Sequence, residues 1–532
     1  MSRHSTLRIV STRMILAAVI LSMSFAHTIT MAAEVRGPGL ADASLYSAVL
    51  ADERALIRDE TAGLLSSYTI DAFVTGDDAS RIDGVANILY VNDTGRDTED
   101  IFLRLYANSP IYSPDGIDLG EIIADGKSIQ ADYSEDDTVV RLALPQVLAA
   151  GASIDLSIPF TTNVPDSGQG YGMFGVARSS GTVSLAHWFP ILAGYGPDGK
   201  WNLDPPSTVG DPVFSNTALF EVTLTARDDL RIVTTGEDVS RESAGNGLTR
   251  HTFVTGPSRD FMLVIDDDFA VAEVEVDGTL VRSWFDPANS AAGERVLRYG
   301  AQALELFNDL IGPYPFNEMD LVEVPIGNGA AGVEFPQLML IASSLYDRPN
   351  QPGVPSFLEN VVAHEVVHQW WYALVGNDQY QDAFIDEGLT NYLSTAVYFE
   401  RFYSPEIGEE QVDLYLRVPY VSTLFDQGDE IVDQPTDDFT QADYGVMVYG
   451  KAALGFGAFR EALGDDVFFA ALGDYYTDHR FTVATPDNLL AAFENAANAD
   501  LGELWRHWFE AAEGDQDFTE DDLAAASLAR AA

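Results

Sequence analysis

The sequence is poor in several of the residue types that carry common chemistries. Its 532 residues include no cysteine, three lysines and eight histidines. Without cysteine the chain has no disulfide, no thiolate metal ligand, no cysteine nucleophile and no cysteine for a bacterial lipid anchor. None of these absences excludes export. They restrict a metal site to histidine and carboxylate ligands.

Positive charge is also scarce. The 29 basic residues face 83 acidic ones, which gives a formal net charge of −54. A phosphate backbone would be repelled, so we expect no nucleic-acid partner. Adaptation to high salt and attraction of cationic substrates are both compatible with this charge, but we favour a solvated acidic surface. The hydrophobic fraction of 46% is typical of a globular protein, and the length indicates two to four domains.

The first 33 residues have the pattern of a secretory signal. Arg3, Arg8 and Arg13 precede the apolar run Met14–Ala26, and the first acidic residue is Glu34. The run is short for a membrane span. We therefore predict a cleaved signal peptide over 1–33 and an exported protein, whether periplasmic, extracellular or at the cell surface. The alternative is an uncleaved N-terminal membrane anchor.

Beyond the signal, the patterning divides the chain into an all-β and a helical part. Residues 34–66 indicate a lead-in helix or linker, with the helix expected from Asp42 to Ser66. Short alternating segments separated by turn residues predict a β-sandwich domain over 67–272. Helical patterning predicts a mainly helical domain over 273–513, and the acidic residues 514–532 indicate a flexible tail. The fold class is multidomain α+β.

The main chemical signal is His364-Glu365-Val366-Val367-His368, followed by Glu387. The sequence predicts a continuous helix over 358–375, in which histidines four apart share one face. His364, His368 and Glu387 then form a ligand set for one zinc ion, and Glu365 becomes the carboxylate that accepts a proton from water. The alternative is an ordinary buried helix with two satisfied histidines, but burying these charges in an apolar coat is costly without a cation.

Eighteen residues separate His368 from Glu387, and this spacing resembles the gluzincin peptidases, specifically the aminopeptidase N family of zinc metallopeptidases, which includes leukotriene hydrolase. Further segments over roughly 67–512 resemble the same family: His187-Trp188-Phe189-Pro190, Gly312-Pro313-Tyr314-Pro315-Phe316, Asp386-Glu387-Gly388, Tyr449-Gly450-Lys451-Ala452, Ala484-Thr485-Pro486-Asp487 and Trp505–Trp508. The resemblance implies a saddle-like β-sandwich followed by a thermolysin-like catalytic domain. Because the chain ends soon after Trp508, it implies the short two-domain form.

The resemblance also implies roles for individual residues. Tyr449 would stabilise the oxyanion, with Tyr444 as a rival. Glu334, preceded by Gly332, would bind the substrate amine, although Ala331-Gly332-Val333-Glu334-Phe335 departs from the family's Gly-Ala-Met-Glu-Asn.

A second departure concerns the residues that support the metal ligands. The family often has a glutamate seven residues past the third ligand, where Ser394 stands here. We expect Asp386 or Asn391 to substitute for it, because metal ligands need hydrogen-bonded partners that orient them.

These features favour an aminopeptidase that acts on peptide substrates. An endopeptidase on the same site remains open and predicts cleavage of N-blocked peptides. A non-catalytic binding module is also open and predicts no loss of function on Glu365→Gln. Nothing favours an epoxide hydrolase, and the sequence leaves the oligomeric state open.

Overall fold

The computed structural model describes residues 43–76, 79–110, 116–166, 174–177, 180–210, 213–327, 330–348 and 350–519. The predicted signal peptide and most of the predicted acidic tail lie outside these residues. Among the described residues no helix is both long and apolar enough to cross a membrane.

The N-terminal part is β-rich, as predicted. Its strands are β1 (Ser66–Thr75), β2 (Arg81–Val91), β3 (Thr98–Arg104), β4 (Ile117–Leu119), β5 (Ile122–Ala124), β6 (Lys127–Ile129), β7 (Ala131–Ser134), β8 (Val139–Leu148), β9 (Ser153–Asn163), β10 (Phe174–Val176), β11 (Val183–Leu185), β12 (Ile191–Leu192), β13 (Ala218–Arg227), β14 (Arg231–Thr234), β15 (Glu237–Gly245), β16 (Leu248–Ser258) and β17 (Leu263–Asp266).

These strands form three sheets within the described residues. A nine-stranded sheet has the order β15-β16-β13-β1-β2-β9-β5-β6, with β4 also on β9, and four-stranded sheets have the orders β12-β3-β8-β7 and β10-β11-β17-β14. Side chains of β9 alternate between buried and less buried positions, as expected for a strand with one face on a core. The core between the sheets includes Trp188 and Phe189, so the Trp-Phe-Pro segment has a packing role here.

The C-terminal part combines one sheet with many helices. Its strands are β18 (Ala270–Val276), β19 (Thr279–Phe285), β20 (Glu318–Val324), β21 (Gly332–Phe335) and β22 (Leu338–Ala342), in the order β18-β19-β20-β22-β21. The helices of the described chain are α1 (Arg54–Thr61), α2 (Ser290–Leu310), α3 (Phe357–Val367), α4 (Glu387–Tyr392), α5 (Tyr398–Phe402), α6 (Pro405–Val412), α7 (Val418–Asp426), α8 (Gln441–Val446), α9 (Ala452–Leu463), α10 (Asp465–His479), α11 (Pro486–Ala497) and α12 (Gly502–Trp505). π-Helical turns extend four of them, at Leu393–Val397, Asp413–Arg417, Met447–Lys451 and Arg506–Glu510.

The helix that contains the histidines is shorter than predicted. It ends at Val367, so the expected continuous helix over 358–375 is wrong. The chain turns back at Tyr372, whose φ of 97° lies in the left-handed region, and Trp371 forms a β-bridge with Val375. The apolar run misled the prediction because these residues are buried whether or not they are helical.

The lead-in segment also differs from its prediction. Instead of one helix from Asp42 to Ser66, the described chain has a 3-10 turn at Ala43–Tyr46 and the short helix α1. The segment packs firmly: Val49 forms a β-bridge with Phe316, and Leu45, Tyr46 and Ile57 lie in the same apolar core as the helices of the C-terminal part.

A separate apolar cluster joins the two parts beneath β21. From the β-rich part it includes Met262 and Val264, and from the C-terminal sheet Val333, Phe335 and Leu340. Strand β21 is an edge strand that pairs only with β22 among the described residues, in antiparallel register. Its outer edge is therefore available beside α3.

Candidate active site

Three side chains converge at the end of α3. Ser356 caps the helix by accepting a hydrogen bond from the Glu359 amide at 3.2 Å, and His364 and His368 follow on one face. Glu387 is the first residue of α4. The Nε2 atoms of the two histidines are 3.1 Å apart, and Glu387 Oε2 lies 3.2 Å from one and 3.3 Å from the other. The three predicted ligand atoms thus face a common point.

The charges at this point suit a divalent cation. Burial lowers the pKa of His364, which keeps that imidazole neutral. Burial would raise the pKa of Glu387, but the two histidines outweigh it and hold the pKa well below its usual range. Two imidazoles and an ionised carboxylate, all largely buried, are a donor set that zinc accepts with a further position left open. The residues present therefore fit a catalytic metal.

The side chain of Glu365, a residue of α3, packs against Gly332 of strand β21. A Cβ atom added at Gly332 would lie 2.2 Å from Glu365 Oε1, closer than any real contact. The glycine therefore makes room for the carboxylate. Gly332 was predicted as a substrate-binding residue, and the structure gives it this additional steric role.

Glu334 is buried on the same strand, two residues further on. Its Oε1 accepts a hydrogen bond from Gln379 Nε2 at 3.2 Å, and burial raises its pKa. One carboxylate oxygen of Glu334, one of Asp386 and a nitrogen of His368 lie within 4.8 Å of one another. The structure thus places the Glu334 carboxylate beside the ligand set.

The two residues predicted to support the ligands behave differently. An interaction with the Asn391 side chain partly offsets the lowering of the His364 pKa by burial, and Asn391 Nδ2 donates to the Tyr449 carbonyl at 2.6 Å. Asp386 accepts hydrogen bonds from Gln379 at 2.8 Å and Asn377 at 3.0 Å, and burial raises its pKa to about 7. Asn391 therefore lies on the His364 and Tyr449 side of the site, whereas Asp386 belongs to the amide network around Glu334 and His368.

Tyr449 lies in the π-helical turn Met447–Lys451, and its hydroxyl donates a hydrogen bond to Glu387 Oε1. Its ring stacks on His364 with centroids 5.9 Å apart. The rival Tyr444 also borders the site, with its ring 5.8 Å from that of Tyr449. Its hydroxyl, however, packs against Gly210, where an added Cβ would lie 2.6 Å from it. Tyr449 is the tyrosine that contacts a predicted metal ligand.

A cavity of about 440 Å³ opens onto these residues. Its walls include the stretch 330–334, the N-terminal half of α3 and residues of α8. The histidine and carboxylate side chains that line it are those of the site, His364, Glu365, Glu387 and Glu334. An extended chain in this cavity would run along the open edge of β21.

Sequence reasoning missed several supporting groups. Gln379 and Asn377 lie in a loop that has no recognisable motif. The Trp371 carbonyl, 3.1 Å from His368 Nδ1, is a backbone group, so no side-chain pattern indicates it. Thr390 Oγ1 lies 3.5 Å from the same nitrogen. Thr390 is three residues past Glu387 on α4, and this helical spacing is the signal that could have identified it.

Comparison with known proteins agrees with this geometry. Residues 296–508 match the model of the peptidase family M1 domain. Aminopeptidase M1 of Arabidopsis thaliana is 23% identical over 300 residues, which are 55% of this chain and 34% of that protein. Aminopeptidase N of Acetobacter pasteurianus is 23% identical over 310 residues, 56% of this chain and 84% of that protein. The chain thus spans about a third of the length of the plant relative.

Solved structures share the fold over most of the chain. The M1 zinc metallopeptidase of Deinococcus radiodurans superposes with a TM-score of 0.59 at 17% identity and covers 84% of this chain and 93% of its own. A mutant of that protein solved with a Tyr-Ser-Ala substrate gives a TM-score of 0.59 over 85% of this chain and 94% of its own, also at 17% identity.

The residues at the end of α3 and the first residue of α4 form the predicted ligand set, and the chain has the fold of the two-domain M1 zinc metallopeptidases. Within that fold, residues 296–508 are similar to the peptidase family M1 domain.

Proposed function

We propose that the protein is a zinc-dependent aminopeptidase that releases residues from the free N-terminus of peptides. The observation that supports it most is the position of Glu334, a buried carboxylate on the edge strand beside the His364, His368 and Glu387 set. An ammonium group is best bound by such a carboxylate. When an N-terminus is bound there, the first peptide bond lies next to the ligand set.

His364, His368 and Glu387 would hold one zinc ion, which supplies a Lewis acid for the carbonyl and makes water acidic enough to react near neutral pH. Glu365 accepts the proton of the attacking water and delivers it to the leaving amine. Glu334 and the edge of β21 fix the substrate backbone. The Tyr449 hydroxyl, which donates to Glu387, turns to the developing oxyanion and donates to it instead.

The test compares amino-acid amides with a free amine against the same substrates with an acetylated amine. The wild type should cleave the first set and not the second, and a chelator should abolish the activity. Glu365→Gln should reduce kcat by at least about 100-fold while the protein still binds zinc. Activity that survives both the chelator and Glu365→Gln would exclude the mechanism.

An endopeptidase on the same site is the second candidate, favoured by the altered sequence around Glu334. It predicts cleavage of acetylated peptides at rates within about tenfold of the free ones. Glu334→Gln separates the two functions. If the protein is an aminopeptidase, Glu334→Gln should raise the KM for free-amine substrates. If it is an endopeptidase, the KM of this variant should equal that of the wild type.

We further propose that the protein is exported, on the basis of the arginines and the apolar run in residues 1–33. Expression of the full chain in a bacterial host, followed by fractionation and sequencing of the mature N-terminus, tests this. Cleavage after Ala26 or near Ala33 is the expected result. An intact N-terminus in the membrane fraction would favour the anchor.

A further inference from the structure

The turn that follows the histidine helix has an unusual backbone. Tyr372 is buried and has a φ of 97°, a backbone conformation that residues other than glycine rarely adopt. Its amide donates to the Val375 carbonyl at 2.8 Å, and the Ala373 amide donates to the His368 carbonyl at 3.1 Å. Such a backbone persists only where neighbouring contacts hold it.

One of those contacts comes from the β-rich part of the chain. Arg259, 2% exposed, donates from Nε to the Tyr372 carbonyl at 2.8 Å. Its Nη1 donates to the Ser215 carbonyl at 3.0 Å, and its Nη2 donates to the Thr482 carbonyl. A single guanidinium therefore joins three segments that are far apart in sequence.

Arg259 is also unusual in its partners. Among the described residues no carboxylate forms an ion pair with it, and its hydrogen-bond partners are backbone carbonyls. Burial lowers its pKa to about 10, so the group is still charged at neutral pH. Burying a cation without a carboxylate partner costs free energy, which the hydrogen bonds to the three carbonyls must offset. Arg259 therefore holds those carbonyls in fixed positions.

The turn held by Arg259 supplies a partner to a predicted metal ligand. The Trp371 carbonyl lies 3.1 Å from His368 Nδ1, one peptide before the carbonyl that Arg259 binds. When Nδ1 donates its hydrogen to this carbonyl, Nε2 keeps the lone pair that faces His364 and Glu387. The Trp371 carbonyl, the nearer of the two partners of Nδ1, thus stabilises this tautomer and this rotation of the imidazole.

We infer that Arg259 is a positioning residue for the metal centre, which holds the Trp371–Tyr372 turn so that the Trp371 carbonyl orients His368. The inference rests on the proposed zinc site. It makes the β-rich part of the chain a contributor to metal binding through a residue that does not touch the metal.

A glycine that packs against the Arg259 guanidinium supports this assignment. A Cβ added at Gly376 would lie 2.1 Å from Arg259 Cζ. The Gly376 amide donates to the Thr482 carbonyl at 3.1 Å, the same oxygen that receives the guanidinium. The absence of a side chain at Gly376 therefore provides the space in which Arg259 reaches all three carbonyls.

The experiment measures zinc affinity of the metal-free protein by competition with a chromophoric chelator, together with the visible spectrum of the cobalt(II) form. Arg259→Met should weaken zinc binding ten- to hundredfold and change the cobalt spectrum. Arg259→Lys, which reaches fewer of the carbonyls, should lose less. For a free-amine substrate at saturating zinc, kcat should fall while KM stays within twofold, because Glu334 is untouched.

Arg104→Met is the matched control. Arg104 is also 2% exposed, and its Nη1 donates to the backbone carbonyls of Asp204 at 2.9 Å and Asn202 at 3.4 Å. It should lower the melting temperature as Arg259→Met does, yet leave zinc affinity within twofold of wild type. Equal losses of zinc affinity in both variants would overturn the inference, because general destabilisation would then explain them.

Gly376→Ala provides a second route if Arg259→Met does not fold. It keeps the arginine and displaces the guanidinium, so it should weaken zinc binding in the same direction. Wild-type zinc affinity in Arg259→Met, or in both Gly376→Ala and Arg259→Lys, would refute the positioning role. Failure of the wild type itself to bind zinc would instead refute the proposed function.

Discussion

Adding a single methyl group at Gly332 should disable the proposed general base without disturbing the metal site. The new Cβ would lie 2.2 Å from Glu365 Oε1 and 2.6 Å from its carboxyl carbon. A normal carbon–oxygen contact is about 1 Å longer, and the flexible end of the glutamate can move by that amount while the backbone stays in place. A displacement of about 1 Å of a catalytic group costs roughly 100-fold in rate, or about 2.7 kcal/mol of transition-state stabilisation.

The assay is kcat on a free-amine amide substrate, with zinc content and melting temperature measured on the same preparations. Gly332→Ala should retain one zinc per chain and lose about two orders of magnitude in kcat. Gly445→Ala is the control, because that glycine borders the same cavity and a Cβ there meets no atom within 4 Å. A kcat for Gly332→Ala within threefold of that of Gly445→Ala would refute the reasoning.

Three further predictions concern stability. Burial raises the pKa of Glu323 from 4.5 to about 7, so the free energy of unfolding should fall as pH rises from about 4.5 to 7. In urea unfolding, Glu323→Gln should remove about 2–3 kcal/mol of that fall. Parallel pH profiles of the two proteins would contradict this prediction. Lys451→Met leaves the buried Asp429, 2.8 Å from Lys451 Nζ, without its cation and should lower the free energy of unfolding by about 3 kcal/mol. Adding Asp429→Asn to the same chain should restore part of that stability. Because the formal charge is −54, sodium chloride between 0.1 and 2 M should raise the melting temperature, and a fall would argue against self-repulsion.

The parts of the site that follow from local spacing were predictable from the sequence. Histidines four apart share a helix face, and Glu365 lies beside the first of them, so the chemistry of α3 could be read without coordinates. The division into a β-rich and a helical part followed from the change in hydrophobic period, and the structure confirms it. Glu334 and Tyr449 were located through the family resemblance, and the structure places both around the ligand set.

The rest depends on backbone geometry and long-range contacts, which side-chain patterns do not encode. The apolar stretch after His368 reads as helix, but Tyr372 reverses the chain there. No pattern around Arg259 indicates that its partners are carbonyls at positions 215, 372 and 482. Gln379 was missed for a similar reason, because an amide in an irregular loop has no periodicity that would place it beside Glu334.

The lead-in segment has a consequence for the order in which the molecule is completed. Glu60 forms an ion pair with Arg480, 420 positions later, and the Leu50 amide donates to the Pro315 carbonyl at 2.8 Å. During synthesis, residues 43–61 therefore emerge long before the surface they pack on exists. Their apolar side chains therefore stay partly exposed, and open to aggregation, until most of the chain has been made.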